Sequence, residues 1–595
     1  VVKELVAKLL EQALDQCVSE GLLPKGERPR VQLDATKNPA HGDFACNAAM
    51  VLQKQHAAAT GAPRPNPRAL AQAIVERLRD PDRLLSGPPE IAGPGFLNLR
   101  LAPDVWHRAF RAVDQERDRF GRSDAGQGEK TMVEFVSANP TGPMHVGHGR
   151  GAVIGDTVAN LLDWAGYQVF REFYINDAGG QVWRLAHAVW ARAKAERTGQ
   201  PAANFLDKDD YQGDYIIEVA QDWLAKGGDL ERPYEELREP LRQFATDWIL
   251  EHLIQSDLKL FGIRFDLFFS EKTLHDRGAI AHAVEVLRQK GVLAEEILPP
   301  PEGRERDPDE EVADKPLLVM KTTRFGDDRD RPIYKTTGEP TYFAADVAYH
   351  FDKIERGYKR LINVWGADHS GYVKRMKAAV GAMDGKLEVI LLQLVNLIKD
   401  GQPFKMSKRA ANFVTLRELL EEAGADATRF FFLLRRSDMA LDFDLALAKK
   451  RDNDNPVFYV QYGHARCAAI LRKALEESGL EPRYDPEAMA ALTLPEELDL
   501  IKRVLNLPEL IAQAAAALEP HRVVFYLQET IAAFHGYYTK YKKTDRVISS
   551  DARKTTARLY LVWALKQALA NALAVLGVSA PERMDLPAEA AELEQ

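Results

Sequence analysis

Residues Thr131 to Asp156 read TMVEFVSANPTGPMHVGHGRGAVIGD. The spacing predicts a strand over Met132 to Ser137 and a turn rich in breakers (Asn139, Pro140, Gly142, Pro143). A helix should then open near Gly147, because Ile154, Val158, Leu161, Leu162 and Ala165 recur at helical spacing. A strand followed by a loop and a helix N-terminus makes an anion site: unpaired backbone N–H groups and the positive end of the helix dipole face one point. His145 and His148 fall at that point. Imidazoles there can donate hydrogen bonds to phosphate oxygens, and Gly147 lets the backbone come close.

Working outward, Gly166 stops the helix and Gln168 to Ile175 alternates as a second strand. The resulting βαβ unit predicts a multidomain α/β protein built on a Rossmann-type, doubly wound parallel sheet. Residues from about 185 to 330 read as an insertion between two halves of that sheet, with long helical stretches such as Tyr234 to Phe261. The charged, breaker-rich Pro299 to Lys315 reads as a mobile surface loop. The second half returns with a helix from Thr341, a strand leading to Gly366, Asp368 and His369, and a further apolar strand at LEVILLQLVNLI. Ligands collect beyond the carboxyl ends of such strands at the switch point, where His145 and Asp368 both fall. Residues 1–115 form a separable α/β module, 116–395 the sheet domain with its insertion, 396–450 a connecting region, and 451–595 an all-α domain.

A length of 595 residues is a soft prior for several domains, and 46% hydrophobic with 28% charged residues is ordinary for a soluble globular chain. No apolar run looks long enough to span a bilayer, and VVKELVAKLLEQAL at the start is an amphipathic helix pattern rather than a signal peptide. A cytoplasmic protein without a membrane partner is the expectation. Cys17, Cys46 and Cys467 lack C-x-x-C spacing, so neither a disulfide framework nor a protein-held metal is expected. The net charge of −9 argues against a non-specific nucleic-acid coat, but not against one folded RNA. Locally the sign reverses between Lys540 and Arg558.

A second stretch, Lys405-Met406-Ser407-Lys408-Arg409, follows a Gly401-Gln402-Pro403 turn. With the first it resembles the HIGH and KMSKS elements of class I aminoacyl-tRNA synthetases. EFVSANPTGPMHVGH followed by YINDAG at Tyr174 to Gly179 is similar to the arginyl-tRNA synthetases. The resemblance continues in KNPAHGDFACNAA (Lys37 to Ala49), like the added N-terminal domain that touches the tRNA corner in that family. It extends through NPVFYVQYGHARC, FHGYYTKYKK and VSAPERM, ending at Met584, like the family's anticodon-binding domain. It implies an arginine–tRNA ligase that forms arginyl-adenylate and then esterifies the 3′-terminal ribose of tRNA(Arg). ATP would be a substrate, with Mg²⁺ carried mainly on its phosphates, and the chain would act as a monomer.

The resemblance also assigns roles. His145 and His148 would donate to the phosphates during attack, and Lys405 and Lys408 would hold the departing pyrophosphate. Gly147, Gly366, Asp368, Met406 and Ser407 would complete the ATP site. Asp346 would pair with the arginine guanidinium, a planar fork that calls for a carboxylate. Tyr342 would sit one helical turn earlier, with Glu134, Ser137, Asn139, His145 and His369 around the substrate. For tRNA, Tyr537, Tyr538 and Tyr541 interleave with Lys540, Lys542 and Lys543 as stacking faces beside cations; Tyr459 and Met584 join them by resemblance. The residues alone leave plainer readings open: Glu134 as an outward strand residue, Asp346 as a helix-surface carboxylate, the lysines as a solvated charge run, some tyrosines as packing between helices. Ser370, Ala411 and Gly463 depart from the family's usual histidine, glycine and alanine. A class I synthetase for another amino acid and a catalytically silent tRNA-binding paralogue are the alternatives.

Overall fold

The computed structural model describes residues 2–24, 30–36, 38–60, 66–297, 315–399, 401–403 and 414–584. It divides into two compact units. One comprises Val1–Phe120, Arg466–Leu507 and Ala532–Ala568; the other comprises Gly121–Ala465, Pro508–Ile531 and Leu569–Gln595.

In the first unit the opening helix, Val2–Ser19, buries Val6, Leu10, Ala13, Leu14 and Cys17 along one stripe. An antiparallel sheet follows in the order Leu33–Ala35, Phe44–Cys46, Phe96–Leu99, Glu90–Ala92. Asp43 fastens this module to the helical part of the same unit: one oxygen takes the Leu101 N–H at 2.7 Å, and the other pairs with the Lys502 ammonium. Among the helices, buried Arg558 donates to Glu497 at 2.7 Å and Asp545 at 3.2 Å.

The second unit is organised on a five-stranded sheet. Its spatial order is Lys386–Leu392, Arg360–Gly366, Lys130–Glu134, Gln168–Ile175, Leu267–Ser270, and every pairing is parallel. From the central strand the chain winds outward to one edge and then returns to build the other half. The switch point therefore lies between Lys130–Glu134 and Arg360–Gly366, with Glu134 opposite Asn363.

Four details differ from the sequence expectation. The central strand stops at Glu134 rather than Ser137, because Val136 (φ 68°) and Ser137 (φ 42°) turn into the left-handed region. For a β-branched valine that conformation costs energy, so surrounding contacts must impose it. The sheet takes its edge strand Leu267–Ser270 from within 185–330; four residues are too few to register as a period. LEVILLQLVNLI breaks in two: Lys386–Leu392 joins the parallel sheet, while Val395–Lys399 joins a separate sheet with Gln402–Pro403 and Leu441–Asp444. Finally, Ala552–Leu576 is long and apolar enough to cross a membrane by length and composition, contrary to the sequence expectation, yet 72% of its most apolar window is buried within the protein. Of the expected mobile loop, Pro299 to Lys315, all but the exposed Lys315 lies outside the described residues.

Candidate active site

The two histidines meet at the N-terminus of the Val146–Trp164 helix. His145 is its N-cap, and its Nδ1 accepts the His148 N–H at 3.2 Å; His148 Nδ1 accepts the His145 N–H, also at 3.2 Å. The rings stack with centroids 3.6 Å apart. With Nδ1 of both rings used as an acceptor, the neutral imidazoles carry their protons on Nε2. Burial, with His145 as neighbour, lowers His148 to about 3, and loss of water contact moves His145 in the same direction. Near neutral pH the pair is uncharged and presents Nε2–H donors at a helix N-terminus. A Cβ at Gly147 would lie 2.9 Å from the His145 ring and force it to shift.

Thr415 forms a β-bridge with His145, and the Leu416 N–H donates to Met144 O at 2.7 Å. The far end of the stretch containing Lys405 to Arg409 is thereby anchored at the histidine turn. Lys405, Met406, Ser407, Lys408 and Ala411 themselves lie outside the described residues.

On the neighbouring strand Gln168–Ile175, Tyr174 feels three carboxylates. Burial together with the charges of Glu271, Asp346 and Glu134 holds its phenol protonated far above its ordinary range. Asp346 is half-buried on the Tyr342–Glu355 helix and accepts the Tyr372 hydroxyl at 2.6 Å, so it is not a plain surface carboxylate. Tyr342, on the same face, is 65% exposed. Glu271 is buried at the end of the Leu267–Ser270 strand, and burial raises its carboxyl. Sequence reasoning missed it. The only signal was an acid directly after the short apolar LFFS run.

Around these residues lies a buried polar network. Glu134, only 7% exposed, is not an outward strand residue; it pairs with the fully buried Lys353 at 2.5 Å and accepts Asn363 Nδ2 at 3.1 Å. Ser137 Oγ donates to Glu134 and accepts the Tyr174 N–H, each at 3.2 Å. His350 donates from Nδ1 to Asp346 O at 2.8 Å and accepts Asn363 at Nε2, and burial lowers it to about 3. Glu172 takes the Tyr349 hydroxyl and Arg356, both at 2.7 Å. Asn139 Nδ2 donates to Gln181 at 2.9 Å.

On the other side of the switch point, Gly366 ends its strand where a Cβ would fall 2.3 Å from Asp368 Oδ1. Asp368, His369 and Ser370 are exposed beyond it, with His369 Nε2 3.6 Å from Asp368. The Gly463 departure has a packing reason: a Cβ would approach Ile531 to 2.3 Å.

Of the three tyrosines expected to face RNA, Tyr537 is corrected to a core residue. It is 2% exposed, with its hydroxyl 3.3 Å from Glu497. Tyr541 and Lys540 both bind Glu496, at 3.0 and 2.6 Å, so the local positive run is partly neutralised by acids distant in sequence. Tyr538, with Arg466 above its ring at 4.9 Å, Tyr541 and Lys542 line a groove of about 420 Å³. In the other unit, Met584, Lys449, Lys450 and Arg451 line a cleft of about 660 Å³, and half-buried Tyr459 lies on the adjoining Pro456–Ser478 helix. Among the described residues, His187, Asp207 and Asp210 form one group of metal-type side chains. Asp210 Oδ2 already serves His187 Nδ1 and the Asp207 N–H, each at 2.7 Å.

Comparison with known proteins bears on this arrangement. Residues 4–101 match the arginyl tRNA synthetase N terminal domain, 113–297 the catalytic domain of class I (R) tRNA synthetases, and 460–584 the DALR anticodon binding domain. The arginine–tRNA ligase of Anaeromyxobacter sp. (strain Fw109-5) is 48% identical over 610 residues, covering 99% of this chain and 98% of the relative. That of Desulfosudis oleivorans is 45% identical over 590 residues, covering 98% and 100%. The solved Thermus thermophilus arginyl-tRNA synthetase shares the fold with a TM-score of 0.71 at 22% identity, covering 98% of this chain and 100% of that one.

Proposed function

The chain belongs to the arginine–tRNA ligase family of class I aminoacyl-tRNA synthetases, and from that premise we propose how its residues divide the work. The activity is activation of L-arginine by ATP, giving arginyl-adenylate and pyrophosphate, followed by esterification of tRNA. The observation that carries the assignment of roles is the pair of neutral imidazoles with N–H donors at the helix N-terminus, together with Asp346 and Glu271 as carboxylates whose charges bear on Tyr174.

In this reading the arginine guanidinium enters between Asp346, Glu271 and Tyr342, where a planar cation replaces water among acids. Glu134 and Ser137 act from below, holding Lys353, Asn363 and the Tyr174 backbone, and Asn139 with His369 flanks the α-amino and carboxylate end. ATP lies along Gly147, Gly366 and Asp368, with its phosphates toward His145 and His148. There the attacking carboxylate oxygen forms its bond to the α-phosphorus as pyrophosphate leaves, and fixed donors stabilise the migrating charge. Lys405, Met406, Ser407 and Lys408 hold the departing pyrophosphate. Mg²⁺ fits as a companion of the ATP phosphates, because the imidazoles present donors there rather than ligand lone pairs. Tyr459, Tyr538, Tyr541, Lys540 and Met584 serve the tRNA, and the chain works as a cytoplasmic monomer. The domain boundaries read from the sequence are kept in this assignment.

ATP–pyrophosphate exchange tests this division. L-Arginine supports exchange, L-lysine and the neutral isostere L-citrulline do not, and tRNA is required. Comparable exchange with citrulline overturns the acid pocket; full-rate exchange without tRNA overturns the tRNA requirement.

A further inference from the structure

The Tyr234–Ile249 helix continues through a π-helical turn, Leu250–Gln255, into Ser256–Leu260. A π turn inserts one extra residue, which rotates everything after it by about 100° relative to an uninterrupted helix. This turn is internally supported: His252 Nδ1 donates to Trp248 O at 3.0 Å, its ring stacks on Trp248 at 4.6 Å, and Ile254 is buried. The rotation brings Ser256 and Asp257 to Arg417, which donates from Nε to Asp257 Oδ1 at 2.7 Å and from Nη2 to Ser256 Oγ at 2.8 Å. Asp257 has 3% of its side chain exposed and Arg417 36%, so the carboxylate is fixed from inside and the guanidinium docks onto it. Burial pushes the Asp257 carboxyl up to about 6 while Arg417 pulls it back, leaving it ionised at pH 7.5.

Arg417 belongs to the first turn of the Leu416–Ala423 helix. Thr415 caps that helix and bridges His145. The Leu416 N–H holds Met144 O, and the Leu416 side chain fills the space over Gly149, where a Cβ would come within 2.6 Å of it. Three consecutive residues thus meet the histidine turn, the histidine helix and the helix behind the π turn. Tethering one turn of helix at three points leaves it little freedom to shift. We propose that Ser256, Asp257 and Arg417 are positioning residues for the phosphate side of the site: they fix the turn that carries Thr415 against His145. The proposal rests on the assignment of His145 to the ATP phosphates.

The test is a double-mutant cycle of Asp257→Asn, Arg417→Gln and the pair, assayed by arginine-dependent pyrophosphate exchange in the presence of tRNA. Each single variant should lower kcat/KM for ATP about tenfold with the KM for arginine within about twofold, and the double should be no worse than Arg417→Gln alone. Arg417→Lys, which keeps the charge, should recover part of the loss. Additive losses, or equal rises in both KM values, overturn the proposal, because a merely structural role moves both substrates together. Failure of the wild type to use arginine at all would instead overturn the functional reading beneath it.

Discussion

Asp346→Asn lowers kcat/KM for L-arginine in adenylate formation by about a thousandfold, while the KM for ATP stays within about twofold. Asparagine keeps the shape and can still accept the Tyr372 hydroxyl now held at 2.6 Å, so the local fold has no reason to change. What it loses is the charge. A carboxylate binding a guanidinium makes charge-assisted hydrogen bonds, and leaving a desolvated cation without its partner costs about 2–5 kcal/mol, or roughly one and a half to three and a half powers of ten. The upper part of that range applies because Asp346 is half-buried and its charge already helps hold the Tyr174 phenol protonated, so the guanidinium would meet it partly desolvated. Single-substrate kinetics of pyrophosphate exchange check the prediction, and a loss shared equally between arginine and ATP would count against the assigned role.

Glu134→Gln should lower the thermal midpoint of the enzyme by about 5 °C, because removing one member of a buried ion pair costs about 3–5 kcal/mol. The reason is Lys353: it is fully buried, and its ammonium pairs with Glu134 at 2.5 Å. With glutamine opposite, that charge stays desolvated and uncompensated. Pairing Glu134→Gln with Lys353→Met, which keeps the aliphatic stem, should recover most of the midpoint. Thermal unfolding of the three variants decides it, and an unchanged midpoint in Glu134→Gln contradicts the buried-pair account.

The parallel sheet and its switch point were legible because every local signal in Thr131 to Ile175 agreed: apolar strand, breakers, helical stripe, Gly166, alternating strand. The reciprocal hydrogen bonds between His145 and His148 were legible only as spacing; that each Nδ1 would take the other's N–H needs the folded cap. Other features left no periodic trace. Glu271 follows a four-residue strand inside a helical region, and it is linked to Asp346 only through Tyr174, on the strand beside its own. The π turn at Leu250–Gln255 adds one residue to a helix, a change that a 3.6-residue pattern absorbs. Tyr537 and Lys540 looked available because Glu496 and Glu497, which hold them, lie about forty positions earlier in the sequence. Likewise Ala552–Leu576 owes its apolar composition to burial on several faces, which composition alone does not separate from lipid.

The central claim is that one chain selects arginine and joins it to tRNA through a site that depends on the Lys405 to Arg409 stretch. The most direct measurement is charging of unfractionated tRNA with each of the twenty labelled amino acids, with wild type beside the Lys405→Ala/Lys408→Ala double variant. The account predicts that arginine alone is charged and that the double variant loses it. Charging of another amino acid, or undiminished arginine charging by the double variant, would contradict it.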